Sequence, residues 1–415
     1  MNILLINHYA GSLSMGREYR PYYLARELLN RGHKPTIIAA DYSHLRAENP
    51  PRQPNFRPLE IDGIPYVFIH TSQYRHNGLK RAFTMQTFSR KLYNNASRVS
   101  QEFRPDVVVA SSTYPFDTYP AQRLARISKA LYLHEVHDMW PDTLIELGGM
   151  SPKHPFVRAM RRAERSFCRH ADGVLSILPA TKDDLVGKGL APDKWRFLPN
   201  GVVLSDWDDP TPLPQEHRVT VERLRRDGNR VIGYFGGHAL SNNLDTLLEL
   251  AQVTRDLPVR YVLVGDGMEK ERLMSVKAER RLDNVYFLDP IEKTAVPEFL
   301  KLVDVTFICG RYSPLYRFGG GMQKMYDAMM AGKPILMALN LADNPIEAYR
   351  CGWVHHEPGD LAGLAARVAE ICAMPDAELE AIGERGHRAV IEHFTYSRIT
   401  ENFLQYIEEF RGRKI

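Results

Sequence analysis

The sequence predicts an α/β protein with two Rossmann-like domains, each built on a parallel sheet. Short apolar strands alternate with longer amphipathic segments, which is the pattern of strands joined by crossover helices. Such a series begins twice, at Ile3–Ile6 and at Arg230–Phe235, without a close sequence repeat. A chain of 415 residues also exceeds what one hydrophobic core commonly supports. Two domains of similar fold follow from these three observations.

Each predicted domain is assigned its own strands. In the first, apolar runs predict strands at Ile3–Ile6, Thr36–Ala40, Val67–His70, Val107–Ala110, Ala130–Glu135 and Gly173–Leu178. In the second they predict strands at Arg230–Phe235, Arg260–Val264, Val285–Leu288, Val305–Ile308 and Pro334–Met337. The stretch Asp208–Pro214 holds three prolines and is predicted to be a linker. Apolar residues on one stripe predict a terminal helix over Tyr396–Arg411.

Composition excludes several classes of protein. The hydrophobic fraction of 44% and the charged fraction of 25% are those of a folded domain and argue against disorder. A net charge of +4 is too weak to indicate nucleic-acid binding, and it suits anionic small molecules or an anionic membrane face. The amino terminus resembles a first strand and not a signal peptide, and no window has the roughly 20 apolar residues of a membrane span.

The four cysteines point to a compartment. Cys168, Cys309, Cys351 and Cys372 form neither a CxxC pair nor a zinc-type cluster with histidine. A reducing cytosol is the simplest reading. We therefore expect a cytoplasmic protein that touches a membrane surface at most.

The most informative stretch is Phe318–Pro334, in which three glycines lead directly into a helix. Free backbone N–H groups and the positive helix end make such an entry an anion site. Lys324 falls in the first turn, where a cation is unfavourable unless an anion is bound. Asp327 follows one turn later and could accept hydrogen bonds from sugar hydroxyls. The alternative reading is a flexible loop before an ordinary helix.

Several motifs in order resemble one enzyme family. Asp327–Pro334, with the preceding Lys324-Met-Tyr, is similar to the helix motif of the family-four retaining glycosyltransferases of the GT-B fold. The variant with lysine at this place occurs among bacterial polysaccharide and O-antigen transferases. Leu198–Val202 is similar to the family's domain-junction motif, and Leu263–Gly267 resembles its Val-Gly-x-Gly turn.

The resemblance implies an architecture. Two Rossmann-like domains would face a central cleft, with residues 1–200 binding the acceptor and residues 212–393 binding a nucleotide-sugar. Residues 396–415 would pack back on the first domain.

The resemblance also implies the donor site. Asp327 occupies the position of the acid that binds the donor ribose. The residues expected to bind the donor are Gly236, Gly237, His238, Gly265, Arg311, Arg317, Gly319, Gly320, Gly321, Met322, Gln323, Lys324 and Asp327.

Two positions depart from the family pattern. The family has a glutamate eight positions before the ribose acid, and Gly319 stands there. The family also places an arginine and a lysine after the first strand of the donor domain, where Gly236–Asn243 contains neither. Pyrophosphate charge is then expected to be met by Arg311, Arg317, Lys324 and the helix end.

A second candidate site follows an apolar strand at Leu133–Asp142. Parallel sheets place ligands at the carboxyl ends of their strands. By resemblance His137 and Asp138 match a His-Asp pair that faces the donor sugar, and they are the predicted catalytic residues. His134 and Glu135 are close competitors, and a structural histidine beside a helix-capping aspartate is the alternative.

The loop after the first strand and two basic clusters complete the candidates. Gly11, Ser12, Gly16 and Arg17 are expected on the acceptor side, because glycines allow close backbone approach. Basic residues share one face of a predicted helix, opposite an apolar face, and others cluster at Lys80–Arg98. The residues of the helical face are Arg158, Arg162, Arg165 and Arg169. Such a surface attracts anionic lipid head groups, and a solvated helix face is the alternative.

The resulting prediction is a retaining transferase that moves a sugar from a UDP-sugar, with GDP left open, to a lipid-linked glycan acceptor. It would build lipopolysaccharide or exopolysaccharide at the inner face of the cytoplasmic membrane, without a metal or other cofactor and without nucleic acid. The alternatives are a GT-B sugar-nucleotide 2-epimerase and a catalytically silent GT-B scaffold. A dehydrogenase is disfavoured because the first loop lacks the dinucleotide glycine spacing.

Overall fold

The computed structural model describes residues 1–16, 18–74, 78–357 and 359–414. The chain divides into two compact units. The first contains Met1–Pro199 and the terminal segment that begins at Tyr396, and the second contains Asn200–Thr395. Each unit has one sheet with helices packed against it.

The first unit holds an eight-stranded sheet in the order β3-β4-β2-β1-β5-β6-β7-β8. Its strands are β1 Asn2–Ile6, β2 Lys34–Ala40, β3 Pro58–Ile61, β4 Ile64–Ile69, β5 Val107–Ala110, β6 Leu131–Val136, β7 Gly173–Ser176 and β8 Trp195–Phe197. All neighbours pair in parallel except β3 and β4, which form an antiparallel hairpin. The central strands are buried along their whole length because helices cover both faces of such a sheet.

Eight helices belong to the described part of the first unit. They are α1 Arg20–Asn30, α2 Leu79–Asn94, α3 Ala96–Phe103, α4 Thr118–Ser128, α5 Asp142–Glu146, α6 Pro155–His170, α7 Lys182–Gly187 and the terminal helix, called αC here, Tyr396–Lys414. Short 3-10 turns occupy Pro115–Asp117 and Pro192–Lys194.

The terminal helix αC is tied to the first unit at several points. The rings of Tyr23 and Tyr396 lie 5.0 Å apart, and Arg196 donates to Glu409 at 2.8 Å. A side chain at Gly173 would collide with the ring of Phe410, so this glycine lets αC approach β7 closely.

The second unit holds a six-stranded parallel sheet in the order β11-β10-β9-β12-β13-β14. Its strands are β9 Arg230–Phe235, β10 Val259–Val264, β11 Val285–Leu288, β12 Val305–Cys309, β13 Ile335–Ala338 and β14 Gly352–Val354. Its helices are α8 Ser205–Asp208, α9 Gln215–Arg226, α10 Asp245–Val253, α11 Lys270–Glu279, α12 Val296–Leu302, α13 Gln323–Met330, α14 Pro345–Ala348, α15 Leu361–Ala373 and α16 Asp376–His393. Its 3-10 turns are Leu240–Asn242, Lys293–Ala295 and Pro314–Phe318.

The stretch Asp208–Pro214 differs from the predicted linker. Leu213 is buried in the core of the second unit, and the backbone N–H of Thr211 donates to Thr294 O at 3.0 Å. Prolines prevent strand pairing but do not prevent side-chain burial, so this segment is packed against its own unit. None of the described helices is long and apolar enough to cross a bilayer.

Candidate functional site

The candidate site of the first unit lies at the carboxyl ends of adjacent strands β1, β5 and β6. Glu135, near the end of β6, is the hub of a buried network. One carboxylate oxygen accepts from Nε and Nη2 of Arg20 at 3.0 and 2.7 Å. The other accepts from Ser111 Oγ at 2.7 Å and lies 2.8 Å from Nε2 of His137. These polar side chains are therefore mutually satisfied at one edge of the sheet.

Charges within this network set the protonation of its members. Burial alone would raise the pKa of Glu135, but the guanidinium of Arg20 and the ring of His137 outweigh burial and lower it. Burial opposes a charge on His137, yet the carboxylates of Glu135 and Glu18 raise its pKa above the ordinary histidine value. The pair is therefore an ionised carboxylate beside an imidazole that readily holds a second proton.

The competing histidine, His134, has a different environment. Its ring stacks on Phe167 with centroids 3.8 Å apart, and its Nδ1 lies 3.2 Å from Tyr132 Oη. Burial lowers the pKa of His134 to about 3, so the ring stays neutral. These contacts are those of a core histidine. His137, which the sequence favoured, is the ring that meets the charged network, and its catalytic role stays a prediction.

Asp138 uses its carboxylate within its own loop. It accepts from the backbone N–H of Met139 at 2.8 Å, from Trp140 Nε1 at 3.0 Å and from Thr143 Oγ1 at 2.8 Å. These three bonds order the turn between β6 and α5. His137 and Asp138 are adjacent in sequence but have different partners. The ring of His137 contacts Glu135 and Ser111, whereas Asp138 binds within its own loop.

The loop after β1 is folded on itself. Tyr66 Oη donates to Gly11 O at 2.7 Å, and Ser12 Oγ accepts from the backbone N–H of Met15 at 3.2 Å. Gly16 has a φ of +73°, and a side chain there would press on Ala47. Arg17 lies outside the described residues. The turn thus explains the glycine at Gly16. A role of the loop toward the acceptor stays a prediction.

The candidate site of the second unit begins where two loops cross. Gly265 has a φ of +149°, and a Cβ atom there would lie 2.0 Å from Gly236 O. The backbone N–H of His238 donates to Asp266 O at 2.7 Å, and Gly237 O accepts from Tyr234 Oη at 2.8 Å. The loops after β9 and β10 therefore touch through bare backbone, which requires glycine at Gly265.

Lys324 reaches this loop from the first turn of α13. Its Nζ lies 3.1 Å from Asn242 Oδ1, 3.3 Å from Tyr234 Oη and 4.7 Å from the centre of that tyrosine ring. Burial lowers the pKa of Lys324. No ion pair with a carboxylate is found for Lys324 among the described residues. A cation from α13 thus lies on the loop that lacks the family's own arginine and lysine.

The glycine-rich entry to α13 is held by the residues after the unit boundary. Gly319 has a φ of +85°. Asn200 Nδ2 donates to Gly321 O at 2.8 Å, and Gln323 Nε2 donates to Gly201 O at 2.9 Å. A Cβ atom at Gly320 would lie 3.1 Å from Leu341 Cδ1, which is tight. At the start of α13, Met322 provides no side-chain cap to the free N–H groups.

The two predicted arginines lie at the surface. Arg317 is exposed, stacks over Phe318 and donates to Pro314 O at 2.7 Å. Arg311 is exposed, and its backbone N–H donates to Ser241 O at 2.9 Å, which joins it to the loop after β9.

Asp327 lies one turn into α13 and is partly buried. Its Oδ1 accepts from Gln323 Nε2 at 3.1 Å. Burial raises the pKa of Asp327 to about 6, partly offset by Lys293 and Gln323. A small cavity beside it is lined by Asp206, Trp207 and Lys293. A carboxylate with a spare oxygen at this place suits the predicted contact to ribose hydroxyls, which stays a prediction.

Sequence reasoning missed the partners that give both sites their character. Arg20, Ser111 and Asn242 were not singled out. A signal existed for Glu135, because a charged residue inside the mostly apolar strand β6 needs a partner. Nothing in the sequence identified Arg20 as that partner, since 115 positions separate the two residues.

Comparison with known proteins assigns both units. Residues 16–201 match the model described as Glycosyl transferase 4-like domain, and residues 229–374 match Glycosyl transferases group 1. The Escherichia coli K12 protein WcaI, named as a colanic acid biosynthesis glycosyl transferase, is 25% identical over 211 residues. That match covers 49% of this chain and 50% of WcaI, so the chain spans about half the length of this curated relative.

Two solved structures are similar over nearly the full length. HepE of Anabaena, crystallised with UDP, superposes with a TM-score of 0.68 at 15% identity, covering 99% of this chain and 100% of HepE. WaaG, a glycosyltransferase involved in lipopolysaccharide biosynthesis, gives 0.63 at 14% identity, covering 98% and 99%. At these identities the likeness shows the fold. The predicted fold class and family resemblance are confirmed, and the chain belongs to the glycosyltransferases of the GT-B fold.

Proposed function

We propose that this glycosyltransferase moves a sugar, with retention of configuration, from a UDP-sugar to a lipid-linked glycan acceptor in bacterial surface polysaccharide synthesis. The observation that supports a nucleotide-sugar donor is the environment of Lys324. An ammonium group removed from water is stabilised by an anion, and its partners here are the neutral oxygens of Asn242 and Tyr234. A bound diphosphate would supply the missing negative charge.

The surroundings of Lys324 suit a diphosphate. A Cβ atom at Gly236 would lie 3.6 Å from Lys324 Nζ. Because Gly236 has no side chain, its backbone beside Nζ is open to ligand oxygens. His238 is buried, and neither ring nitrogen has a hydrogen-bond partner among the described residues. Burial lowers the pKa of His238 to about 4, so this neutral ring adds no positive charge to the surroundings of Lys324.

The comparisons support the choice of donor and pathway. HepE was crystallised with UDP and with UDP-glucose. The names of WcaI and WaaG place those proteins in colanic acid and lipopolysaccharide biosynthesis. UDP is therefore the first nucleotide to test, and a surface glycan is the product class to test.

In the proposed mechanism the departing diphosphate assists deprotonation of the acceptor hydroxyl on the same face of the sugar. The protein contributes positioning and charge stabilisation. Lys324 and the free N–H groups at the start of α13 would meet the negative charge that develops on the diphosphate. Asp327 would bind the ribose, and His137 would contact the transferred sugar.

Calorimetric titration with UDP tests the donor site. Lys324→Met should weaken UDP binding about 10–100-fold, because a hydrogen bond to a charged group contributes about 1.5–3 kcal/mol. Asp327→Ala should weaken it to a similar degree. Lys333→Met is the matched control, since Lys333 is another partly buried lysine of this unit whose Nζ donates to Lys301 O. Equal affinity of wild type and Lys324→Met would overturn the donor assignment.

A donor turnover assay separates the remaining functions. A transferase releases UDP from the UDP-sugar much faster when an acceptor is present. A 2-epimerase converts the donor without an acceptor, and a silent scaffold releases nothing in either condition. Either of the last two results would contradict the transfer proposal.

The acceptor part rests on a surface formed by α2, α4 and α6. Gln122 Nε2 donates to Ser166 Oγ at 2.9 Å and joins α4 to α6, while Arg123 stacks over Tyr93 at 4.4 Å and joins α4 to α2. The helices α2 and α6, which carry most of the two basic clusters, therefore both pack against α4. Exposed aromatic rings lie on two of these helices, with Phe83 of α2 60% and Tyr119 of α4 40% exposed. Arginine beside exposed aromatic rings is a composition suited to a membrane interface.

Flotation with liposomes tests this surface. The protein should float with vesicles that contain anionic lipid at low salt, and less at high salt, because salt screens exposed charges. Replacing Arg158, Arg162, Arg165 and Arg169 by Gln should abolish flotation without unfolding. An equal number of exposed arginines of the second unit, Arg223, Arg226, Arg255 and Arg281, provides the control. A protein that stays in the soluble fraction at low salt would contradict the membrane proposal.

A further inference from the structure

The hydrogen bonds around His137 determine which of its nitrogens carries a proton. Nε2 lies 2.8 Å from Glu135 Oε2 and 3.0 Å from Ser111 Oγ. The only hydroxyl proton of Ser111 is donated to Glu135 at 2.7 Å, so its oxygen is left to accept. An ionised carboxylate also only accepts. Nε2 therefore carries a hydrogen whether the ring is neutral or charged.

Nδ1 is the nitrogen that remains. Glu18 Oε1 lies 3.7 Å from it, which is an ion-pair distance and too long for a hydrogen bond. The side chain of His137 is 7% exposed, so only a small part of the ring meets solvent. A substrate hydroxyl that contacts this ring has to do so through Nδ1.

Glu135 is itself held in place by Arg20. The Arg20 and Glu135 side chains are 5% and 3% exposed. Arg20 donates to one carboxylate oxygen through Nε and Nη2, and it donates to the carbonyls of Pro199 and Leu198 at 2.6 and 2.9 Å. The guanidinium is thus fixed by these bonds, and the second carboxylate oxygen is left for Ser111 and His137.

We propose that Glu135 and Arg20 are positioning residues for sugar transfer: they fix a proton on Nε2 of His137 and direct Nδ1 to the substrate. The proposal rests on the proposed function for the contact between His137 and the transferred sugar. It accounts for a buried Arg–Glu pair placed beside the candidate catalytic ring and not in the hydrophobic core. It also assigns Glu18 as the carboxylate that faces Nδ1 before a substrate binds.

The charges around His137 give the proposal a signature. The titratable and charged groups around the ring are Glu135 and His134 on β6, Asp138 after β6, Asp117 after β5, Glu18 before α1, and Arg20 on α1. Glu135 stabilises the charged ring and Arg20 opposes it. Removal of the two charges should therefore move the titration of His137 in opposite directions, whereas general loosening of the site would move it in one direction.

The experiment is a two-bond ¹H–¹⁵N correlation spectrum of protein labelled with ¹⁵N-histidine, recorded against pH. The His137 signals are identified by their loss in His137→Asn. The wild-type ring should show the Nε2–H pattern when neutral and should titrate above the ordinary histidine value. Glu135→Gln should lower the midpoint by about one unit or more, because an opposite charge at this distance shifts a pKa by about 1–3 units. Arg20→Gln should raise it.

Controls separate this effect from loss of structure. Glu164→Gln removes another buried carboxylate, which pairs with Arg161 and Lys188, and should leave the His137 titration unchanged. Ser111→Ala removes no charge and is the variant to use if Arg20→Gln does not fold. It should keep the Nε2–H pattern of His137. A wild-type ring protonated on Nδ1 when neutral, or a midpoint unmoved in Glu135→Gln, would overturn the proposal.

The catalytic consequence is measured separately. Glu135→Gln should lower the kcat for UDP release from UDP-glucose at least tenfold, while UDP affinity stays within a factor of two. An unchanged kcat would overturn the positioning role. The histidine spectra need no ligand, so failure of UDP to bind the wild-type protein would contradict the proposed function and leave the Nε2 assignment to be decided by the spectra.

Discussion

The two units differ in how the charges of their candidate sites are compensated. In the first unit Arg20, Glu135 and His137 compensate one another through short hydrogen bonds. In the second unit Lys324 is partly buried beside Asn242 and Tyr234, which carry no charge. The charges of the first site are paired without a ligand, whereas Lys324 in the second site has no paired carboxylate among the described residues. On the proposed function, the first unit would orient chemical groups, whereas the second would take its missing negative charge from a bound diphosphate.

This contrast has a cost on each side. A paired buried charge is destabilising mainly when one partner is removed. An unpaired buried charge is destabilising all the time, and the cost is recovered when a counter-charge arrives. The same kind of substitution, cation to methionine, should therefore have opposite effects on the stability of the ligand-free protein in the two units.

The largest expected effect is that of Arg20→Met. It leaves Glu135 buried with one partner fewer and frees the carbonyls of Leu198 and Pro199, so it should lower the free energy of unfolding by about 3–5 kcal/mol. Lys324→Met should leave stability unchanged or raise it by about 1 kcal/mol, because it removes a desolvated charge. Urea unfolding of both variants without nucleotide measures the difference. Similar losses in the two variants would contradict the contrast.

A smaller effect is expected at the crossing of the two glycine loops. Gly265→Ala places a Cβ atom 2.0 Å from Gly236 O at a φ of +149°, so it should cost roughly 3 kcal/mol and disrupt the backbone on which Lys324 lies. Gly228→Ala is the matched control, because Gly228 has a φ of +80° and no atom within 4 Å of the added Cβ. It should cost about 1 kcal/mol from backbone strain alone. Thermal unfolding of both variants measures the difference. Equal losses of stability in the two variants would show that the close approach of Gly265 to Gly236 is unimportant.

Much of the fold could be predicted because strand periodicity is a local signal. Val107–Ala110, Arg230–Phe235 and Val285–Leu288 were predicted with the bounds that the structure has. The hairpin of β3 and β4 was missed although Asp62-Gly63 supplies both positive φ angles of its turn, which is a readable signal. The edge strands β8 and β14 have three residues each, too few for periodicity to register.

The candidate sites were predictable only as motifs. The glycine run before α13 marked an anion site, and the charged residues after β6 marked a strand end. Their partners depend on tertiary contacts. Asn242 and Lys324 are 82 positions apart, and Arg20 and Glu135 are 115 apart. No local pattern encodes such distances, so the satisfied and unsatisfied character of the two sites emerged only from the structure.

The smallest effect concerns Asp327, which tests whether the second site also holds its carboxylate at a cost. Burial raises the pKa of Asp327 to about 6, from 3.8 for an ordinary aspartate. Between these two pKa values the folded protein binds more protons than the unfolded chain. Asp327 therefore lowers the free energy of unfolding as pH rises from about 4 to about 6, and its cost is constant above that pH.

The Asp327→Asn variant lacks the titrating group. Its stability relative to wild type should rise across this window by about 1 kcal/mol, a discounted value because Asp327 is only partly buried. Urea unfolding of both proteins at pH 4, 5, 6 and 7 measures the difference, since groups common to both cancel. Asp289→Asn, at a side chain that is 83% exposed, is the control and should show no such trend.

UDP affinity should change in the opposite direction to stability. The neutral amide of the Asp327→Asn variant cannot offer a charged acceptor to ribose hydroxyls, so the variant should bind UDP more weakly at pH 7 than wild type does. A stability difference that stays constant from pH 4 to pH 7 would mean that Asp327 ionises as freely as an exposed aspartate, and Lys324 would then be the one charged group of this site that is held at a cost.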